Sequence, residues 1–354
     1  MQDGFVSVAA MTPEVRVADV AFNVESILGR IDDACTEHGA KVVILPELCV
    51  TGYTCEDLFW QDTLLDAAEA GLAEIASRSA RYDALVLLGM PVRVNSKLYN
   101  CAVAISSGTI LGVVPKRNIP TYNEFYEGRH FTAGTTDAAM IDIAGQVDVP
   151  FGMRQLFACD DLPSLVVAVE ICEDLWVPNP PSIAHAQAGA TLVCNLSASN
   201  AIVGKADYRR SLVVGQSARL VCAYAYASAG WGESTQDLVF AGHDMVAENG
   251  RLLADGRPFG DGAAVTEIDL QLISAERRRM STYRCAPAPE TAGYDVTRFS
   301  LGVHETRLTR YVDPHPFVPG DSARRAERCE DVFSIQAYGL AKRLVHTHSS
   351  HAVV

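Results

Sequence analysis

Three residues able to act on an amide each stand directly behind a short apolar run. Glu47 follows Lys41-Val42-Val43-Ile44-Leu45 and Pro46, Lys116 follows Ile110-Leu111-Gly112-Val113-Val114 and Pro115, and Cys172 follows Val166-Val167-Ala168-Val169-Glu170-Ile171. Runs of this kind, rich in β-branched residues, read as strands covered on both faces, and such strands belong to α/β folds. A proline cannot donate to a strand ladder, so Pro46 and Pro115 stop their strands just ahead of an ionisable group. In α/β sheets the carboxyl ends of the strands open into the ligand crevice. Three strands are therefore expected to deliver a carboxylate, an ammonium and a thiol to one edge. Singly, each has a blander reading, a core thiol or a solvated loop charge; the repetition carries the argument.

Only a few per cent of an unperturbed thiol is thiolate at neutral pH. A carboxylate in hydrogen-bond reach can take the thiol proton and return it to a leaving nitrogen, which is the role expected of Glu47. An ammonium favours the thiolate and stabilises an oxyanion, the role expected of Lys116 together with the backbone N–H of Glu173. A Cys-His pair is the usual alternative. The histidines, among them His38, His130, His185 and His243, show no comparable placement.

The elements that must position these groups alternate between strand and helix. Phe5–Ala10 reads as a first strand, and Val20, Val24, Ile27, Leu28 and Ile31 recur at helical spacing between Asp19 and about Glu37. A second helix runs from Asp62 to about Arg81, ahead of a strand at 84–89, and 98–106 with 109–114 read as a hairpin across Ser107-Gly108. The stretch 117–131 alternates polar and aromatic residues with neither period, as a pocket-lining loop does. Further on, the pattern predicts a helix over 178–188, a strand over 190–194, a helix over 206–220 and a strand over 221–226. Antiparallel strands at 238–240, 243–247 and 251–254 follow, the last two joined at Asn249-Gly250, and then a helix from Asp269 to about Tyr283. Patterning alone supports a mixed α/β class.

A formal net charge of -14 argues against a nucleic-acid or anionic-membrane surface, which would need a basic patch. Ten cysteines without a C-x-x-C pair, in a chain too long to need staples, suggest a reducing cytoplasm. No signal peptide or membrane-spanning run is expected. Beyond about Cys285, five prolines (Pro287, Pro289, Pro314, Pro316, Pro319) among scattered charges suggest an extended linker or arm over 285–329. A helical pattern resumes over 330–345, and His351-Ala352-Val353-Val354 reads as the start of a strand. No Walker or Gly-x-Gly-x-x-Gly phosphate loop occurs.

Pro46-Glu47-Leu48, Pro115-Lys116-Arg117 and Glu170-Ile171-Cys172-Glu173-Asp174 resemble, in order, the three motifs of the nitrilase (carbon–nitrogen hydrolase) superfamily, with its Glu, Lys and Cys. Thr51-Gly52-Tyr53, Glu56-Asp57-Leu58, Asn118-Ile119-Pro120 and Ile171–Trp176 are similar to the glutaminase domains of glutamine-dependent NAD synthetases. The resemblance spans about 5–283. It implies a nitrilase-like α-β-β-α sandwich of two mixed sheets flanked by helices, with a glutaminase domain over 1–284 and a truncated start of a synthetase domain over 330–354. It implies catalytic Glu47, Lys116 and Cys172, substrate binding by Tyr53, Tyr122, Glu173, Ser199 and Lys205, and a Glu127 that holds Lys116 or the amide, with Glu124 as competitor for that last role. The implied substrate is L-glutamine, and the implied partners are a C-terminal synthetase domain and further copies in a homo-oligomer. No metal or other cofactor is expected for the glutaminase; ATP and Mg²⁺ belong to the synthetase half. A free-standing amidase acting on another amide, or a non-catalytic ammonia-channel module, are the alternatives.

Overall fold

The computed structural model describes residues 1–318 and 320–353. A first compact unit spans Met1–Thr309 and a second spans Arg310–Val354. The first opens with β1 (Phe5–Met11), α1 (Val20–Thr36), β2 (Val42–Ile44), α2 (Asp62–Ser79), β3 (Leu85–Val94), β4 (Lys97–Ser106) and β5 (Thr109–Pro115). Next come β6 (Ala139–Ile143), β7 (Gln146–Phe151), β8 (Gln155–Cys159), β9 (Val166–Ile171), α3 (Pro181–Gln187), β10 (Leu192–Ser197) and α4 (Lys205–Leu220). It closes with β11 (Ala223–Ser228), β12 (Met245–Glu248), β13 (Arg251–Asp255), β14 (Ala263–Asp269), α5 (Leu270–Arg279) and β15 (Asp295–Phe299). The second unit holds α6 (Ser322–Thr347), which carries no buried residue.

The strands form two mixed sheets, in the order β14-β1-β2-β3-β4-β5-β7-β6 and β13-β12-β11-β10-β9-β8-β15. At the centre of the first, β1, β2 and β3 run parallel; at the centre of the second, β9, β10 and β11 do. Strand periodicity then sorts the side chains into layers. Val8, Ala10, Ile44 and Leu87 of the first sheet meet Val167, Val169, Leu192 and Ala225 of the second in one apolar layer. On the other face of the first sheet, Val43, Val86 and Leu88 pack with Ile27 and Ile31 of α1 and Leu72 and Ile75 of α2. Behind the second sheet, Val193, Tyr224 and Met245 pack with Ala186 of α3 and Val213 of α4. The architecture is an α-β-β-α sandwich.

Several details differ from the sequence reading, and β6, β7 and β8 have no counterpart in it. Residues 285–309, expected as linker, contain β15, which pairs in parallel with β8 and completes the second sheet. The strand expected at 238–240 is a single bridge between Phe240 and Asn200. Residues 351–353 are irregular where a strand was expected to start, and Val354 lies outside the described residues, as does Pro319.

Two contacts bind the site's framework. A Cβ on Gly89 of β3 would lie 2.4 Å from the Leu48 nitrogen and 2.6 Å from the Glu47 Cα, so a glycine is what lets the loop behind β2 settle on its neighbour. Asp244 joins the two sheets: Thr12 Oγ1, just past β1, donates to it at 2.8 Å, and Ser228 N of β11 does so at 2.8 Å. Burial pushes the Asp244 carboxyl up to about 7, against 3.8 for the ordinary group.

Gly89→Ala should destabilise the fold by ~2 kcal/mol or more, read as a lowered denaturation midpoint; an unchanged midpoint would contradict the close approach. For Asp244, the folded chain keeps the proton up to about 7 while the unfolded chain releases it near 3.8, so this group's contribution to stability falls as pH rises through that window. Asp244→Asn should therefore be more favourable, relative to wild type, at pH 8 than at pH 5, as followed by thermal melts at both.

Candidate active site

Lys116 and Cys172 follow β5 and β9 directly and Glu47 follows β2 after Leu45 and Pro46, and the structure brings them to one buried cluster. Lys116 has no exposed surface, and its Nζ donates to Glu47 Oε1 at 2.6 Å and to the two Glu127 oxygens at 2.7 and 2.9 Å. Asn100 Nδ2, on β4, donates to Glu47 Oε1 at 2.6 Å and Glu127 Oε2 at 3.3 Å. Tyr53 OH donates to Glu127 Oε1 at 2.8 Å. The second Glu47 oxygen accepts from Ala198 N, past the end of β10, at 2.8 Å, so this carboxylate ties the strand ends of the two sheets together.

Burial opposes a charge on Lys116, but Glu127 and Glu47 more than offset it and hold the ammonium well above the usual lysine range. Burial, the larger effect, leaves the Glu127 carboxyl raised, although Lys116 pulls it down. Since Lys116, Tyr53 and Asn100 all donate to it, Glu127 has only acceptor duties, which suits the carboxylate form.

Cys172 begins a short 3-10 turn, Cys172–Leu175, and has a φ of 43°, the left-handed region that costs a side-chain-bearing residue of order 1–3 kcal/mol. Asp174 holds this turn in place. Its carboxylate accepts from Ile171 N at 3.1 Å and, across the site, from Asn118 N at 2.9 Å and Asn118 Nδ2 at 2.7 Å. The segment carrying Cys172 is thus stapled to the segment carrying Lys116. Burial first, then the Glu47 charge, pushes the Cys172 thiol up to about 12, with Lys116 opposing.

A cavity of about 320 Å³ opens on Cys172 and is lined also by Tyr122, Glu124, Glu173, Ser199 and Lys205. Tyr122 OH donates to Glu173 Oε1 at 2.8 Å. Lys205 Nζ donates to Asn200 Oδ1 and lies 5.0 Å from the Trp176 ring centre; burial lowers its pKa. Glu124 accepts from Asn200 Nδ2 at 2.5 Å, on the cavity wall, while Glu127 is the carboxylate at Lys116. Tyr53 and Glu127 do not line this cavity; they sit behind it. His130, His185 and His243 bond to Asp57, Tyr294 and Arg209 respectively. A larger cavity, about 580 Å³ beside Arg30 and Trp231, holds none of these groups.

The sequence reading missed Asn100, the stapling role of Asp174, and Arg209. Arg209, 2% exposed, donates to Ser199 Oγ at 2.9 Å and Asn200 O at 3.0 Å and so fixes the cavity floor. Its other terminal nitrogen lies 3.1 Å from His243 Nδ1, and its Nε has no hydrogen-bond partner among the described residues. Its i+4 step from Lys205 along α4 was the available signal. No cluster of three metal-ligating side chains occurs among the described residues.

Residues 6–278 match the family model for carbon–nitrogen hydrolases. Over 350 residues, 97% of this chain, it is 43% identical to a glutamine-dependent NAD(+) synthetase of Mycobacterium tuberculosis, of which it covers 51%. It is 30% identical over 269 residues, 76% of this chain, to the Aquifex aeolicus enzyme of the same name, covering 43% of it. The chain spans about half the length of the curated relatives it matches. Among solved structures, a glutamine-dependent NAD(+) synthetase from Cytophaga hutchinsonii superposes with a TM-score of 0.67 at 30% identity, over 75% of this chain and 43% of that one. An amidase from Nesterenkonia sp. superposes with a TM-score of 0.59 at 20% identity, over 79% of this chain and 97% of that one, a likeness of fold alone. Since the family match takes in all three strand ends that form the buried cluster, the chain belongs to the carbon–nitrogen hydrolases.

Proposed function

We propose that this chain is a glutamine amidohydrolase that works through a cysteine thioester. The observation that carries the reading is Lys116, fully buried between Glu47 and Glu127, behind a left-handed Cys172 that faces a cavity of about 320 Å³. Cys172 Sγ attacks the side-chain carbonyl carbon of L-glutamine as Glu47 takes its proton. Lys116 and the Glu173 N–H stabilise the oxyanion. Collapse breaks the C–N bond, and the proton on Glu47 passes to the leaving nitrogen, which departs as ammonia. Water, deprotonated by Glu47, then cleaves the γ-glutamyl thioester to glutamate and restores the thiol.

The cavity wall supplies both signs of charge that a free amino acid presents. Glu173 and Tyr122 suit the α-ammonium; Lys205 and Ser199, the latter backed by the buried Arg209 guanidinium, suit the α-carboxylate. Likeness to polypeptides about twice as long, named glutamine-dependent NAD(+) synthetases, supports a destination for the ammonia. In the joined protein it would amidate nicotinic acid adenine dinucleotide at an ATP- and Mg²⁺-dependent synthetase domain. This half needs no cofactor for its own step.

A γ-electrophilic glutamine analogue of the diazo-ketone type should alkylate Cys172 alone, with loss of dinitrogen, as located by intact mass and peptide mapping. Cys172→Ala should take no label, and Glu47→Gln should react ~10²-fold more slowly. If a general thiol reagent reaches Cys172 and the analogue does not, another amide is the substrate. Lys116→Met strands two buried carboxylates, so it should cost ~3 kcal/mol or more of stability at pH 8 and less at pH 5, where the Glu127 carboxyl, raised by burial, takes up a proton more readily. Denaturant titrations at both pH values check this; equal losses would contradict the ion-pair account.

A further inference from the structure

Glu170, two residues before Cys172, is a buried carboxylate on β9 that the mechanism above does not use; it is 1% exposed. One of its oxygens accepts from Ser182 N at the start of α3, at 2.8 Å. The other accepts from the hydroxyl of Tyr224 on β11. That hydroxyl in turn accepts from Asn195 Nδ2 on β10, at 3.1 Å. The remaining end of the Asn195 amide, Oδ1, accepts from the backbone N–H of Cys172, at 3.1 Å. The chain of bonds crosses three neighbouring parallel strands, with Asn195 directly opposite Glu170 in the ladder, and every member is buried.

The polarity of this chain depends on the charge at its far end. A carboxylate can only accept, so Tyr224 must donate to Glu170 and keep a lone pair for Asn195. The Asn195 NH₂ is thereby turned toward Tyr224 and its oxygen toward Cys172. Replace the carboxylate by an amide of the same shape, and its NH₂ can donate to Tyr224 instead. Tyr224 then has its proton free for Asn195, the Asn195 amide loses its reason to face one way, and the Cys172 N–H risks facing a second donor. That N–H belongs to a residue held at φ 43°, a conformation that persists only where the surroundings over-determine it.

We infer that Glu170 is a positioning residue: through Tyr224 and Asn195 it orients the acceptor that locks the Cys172 backbone in its left-handed, attack-ready conformation. The inference rests on the reading of Cys172 as the nucleophile. Glu170 touches neither the cavity nor the substrate, so its removal should slow bond formation at sulfur and leave glutamine recognition at Tyr122, Glu173, Ser199 and Lys205 as it was.

The test is the kinetics of Cys172 inactivation by the diazo-ketone analogue, with this chain, at pH 8. Burial raises the Glu170 carboxyl to about 7, so at pH 8 the wild type is compared in its carboxylate form. In Glu170→Gln and in Tyr224→Phe, the limiting inactivation rate kinact should fall about tenfold or more, the worth of one hydrogen bond to a charged group, with the half-saturating concentration KI unchanged. An unchanged kinact in either folded variant overturns the inference, and so does a loss expressed through KI alone. Should Glu170→Gln fail to fold, as judged by circular dichroism, Tyr224→Phe carries the same comparison, since it breaks the relay while leaving the carboxylate in place. Failure of the parent reading is distinct: there the wild type itself takes no label on Cys172.

Discussion

The arrangement turns on one buried ammonium. Taking a lysine charge wholly out of water costs several kcal/mol, repaid only if opposite charges meet it at hydrogen-bond distance. Lys116 meets two, Glu47 at 2.6 Å and Glu127 at 2.7 Å, and each of these is itself tied elsewhere. Glu47 is held from Ala198 and Asn100, Glu127 from Tyr53 and Asn100. Loss of any member leaves a charge or a donor stranded in a low-dielectric interior, where it is most costly. The cluster is therefore rigid by necessity, and the same rigidity is what preorganised catalysis demands.

Around this cluster the fold supplies strand ends. Both sheets are parallel at their centres, so β2, β9, β10 and β11 send their carboxyl ends toward the same seam, and β5 joins them by reversing twice through β4. Lys116 itself has no exposed surface. Burial, then the Glu47 charge, pushes the Cys172 thiol up to about 12, and in the proposed reaction Glu47 relieves it of its proton. Strain at Cys172 is held by Asp174 on one side and Asn195 on the other. In the proposed reaction, reactivity comes from placement, since burial and the Glu47 charge both disfavour a free thiolate.

The sequence was most readable where burial was complete. β9 and β10 announce themselves as apolar runs because both faces are covered, and α1 and α2 show helical spacing because only one face is. Glu47, Lys116 and Cys172 were legible for the same reason, each abutting a strand whose end could be seen. β7 and β15 were not: Gln146–Phe151 mixes exposed Val147 and Asp148 with buried Val149 and Phe151, and Asp295–Phe299 owes its extended form to β8, whose sequence lies some 140 residues away, a contact no local pattern records. Prolines pointed to an extended arm over 285–329 and gave no sign that Asp295–Phe299 docks on β8. Within the site, Asn100 depends on the register that sets Cys101 against Pro115, and Arg209 on which face of α4 turns inward. Both are tertiary facts, and a charged residue on a helix otherwise reads as solvated.

The central chemical claim is an acyl-enzyme on Cys172, and hydroxylamine tests it directly. With L-glutamine as substrate, added hydroxylamine should divert product from glutamate to γ-glutamyl hydroxamate in proportion to its concentration, without slowing ammonia release, because nitrogen leaves before the nucleophile enters. Glutamate as sole product at every hydroxylamine concentration, with ammonia still released, would mean that water attacks the amide directly and would contradict the account.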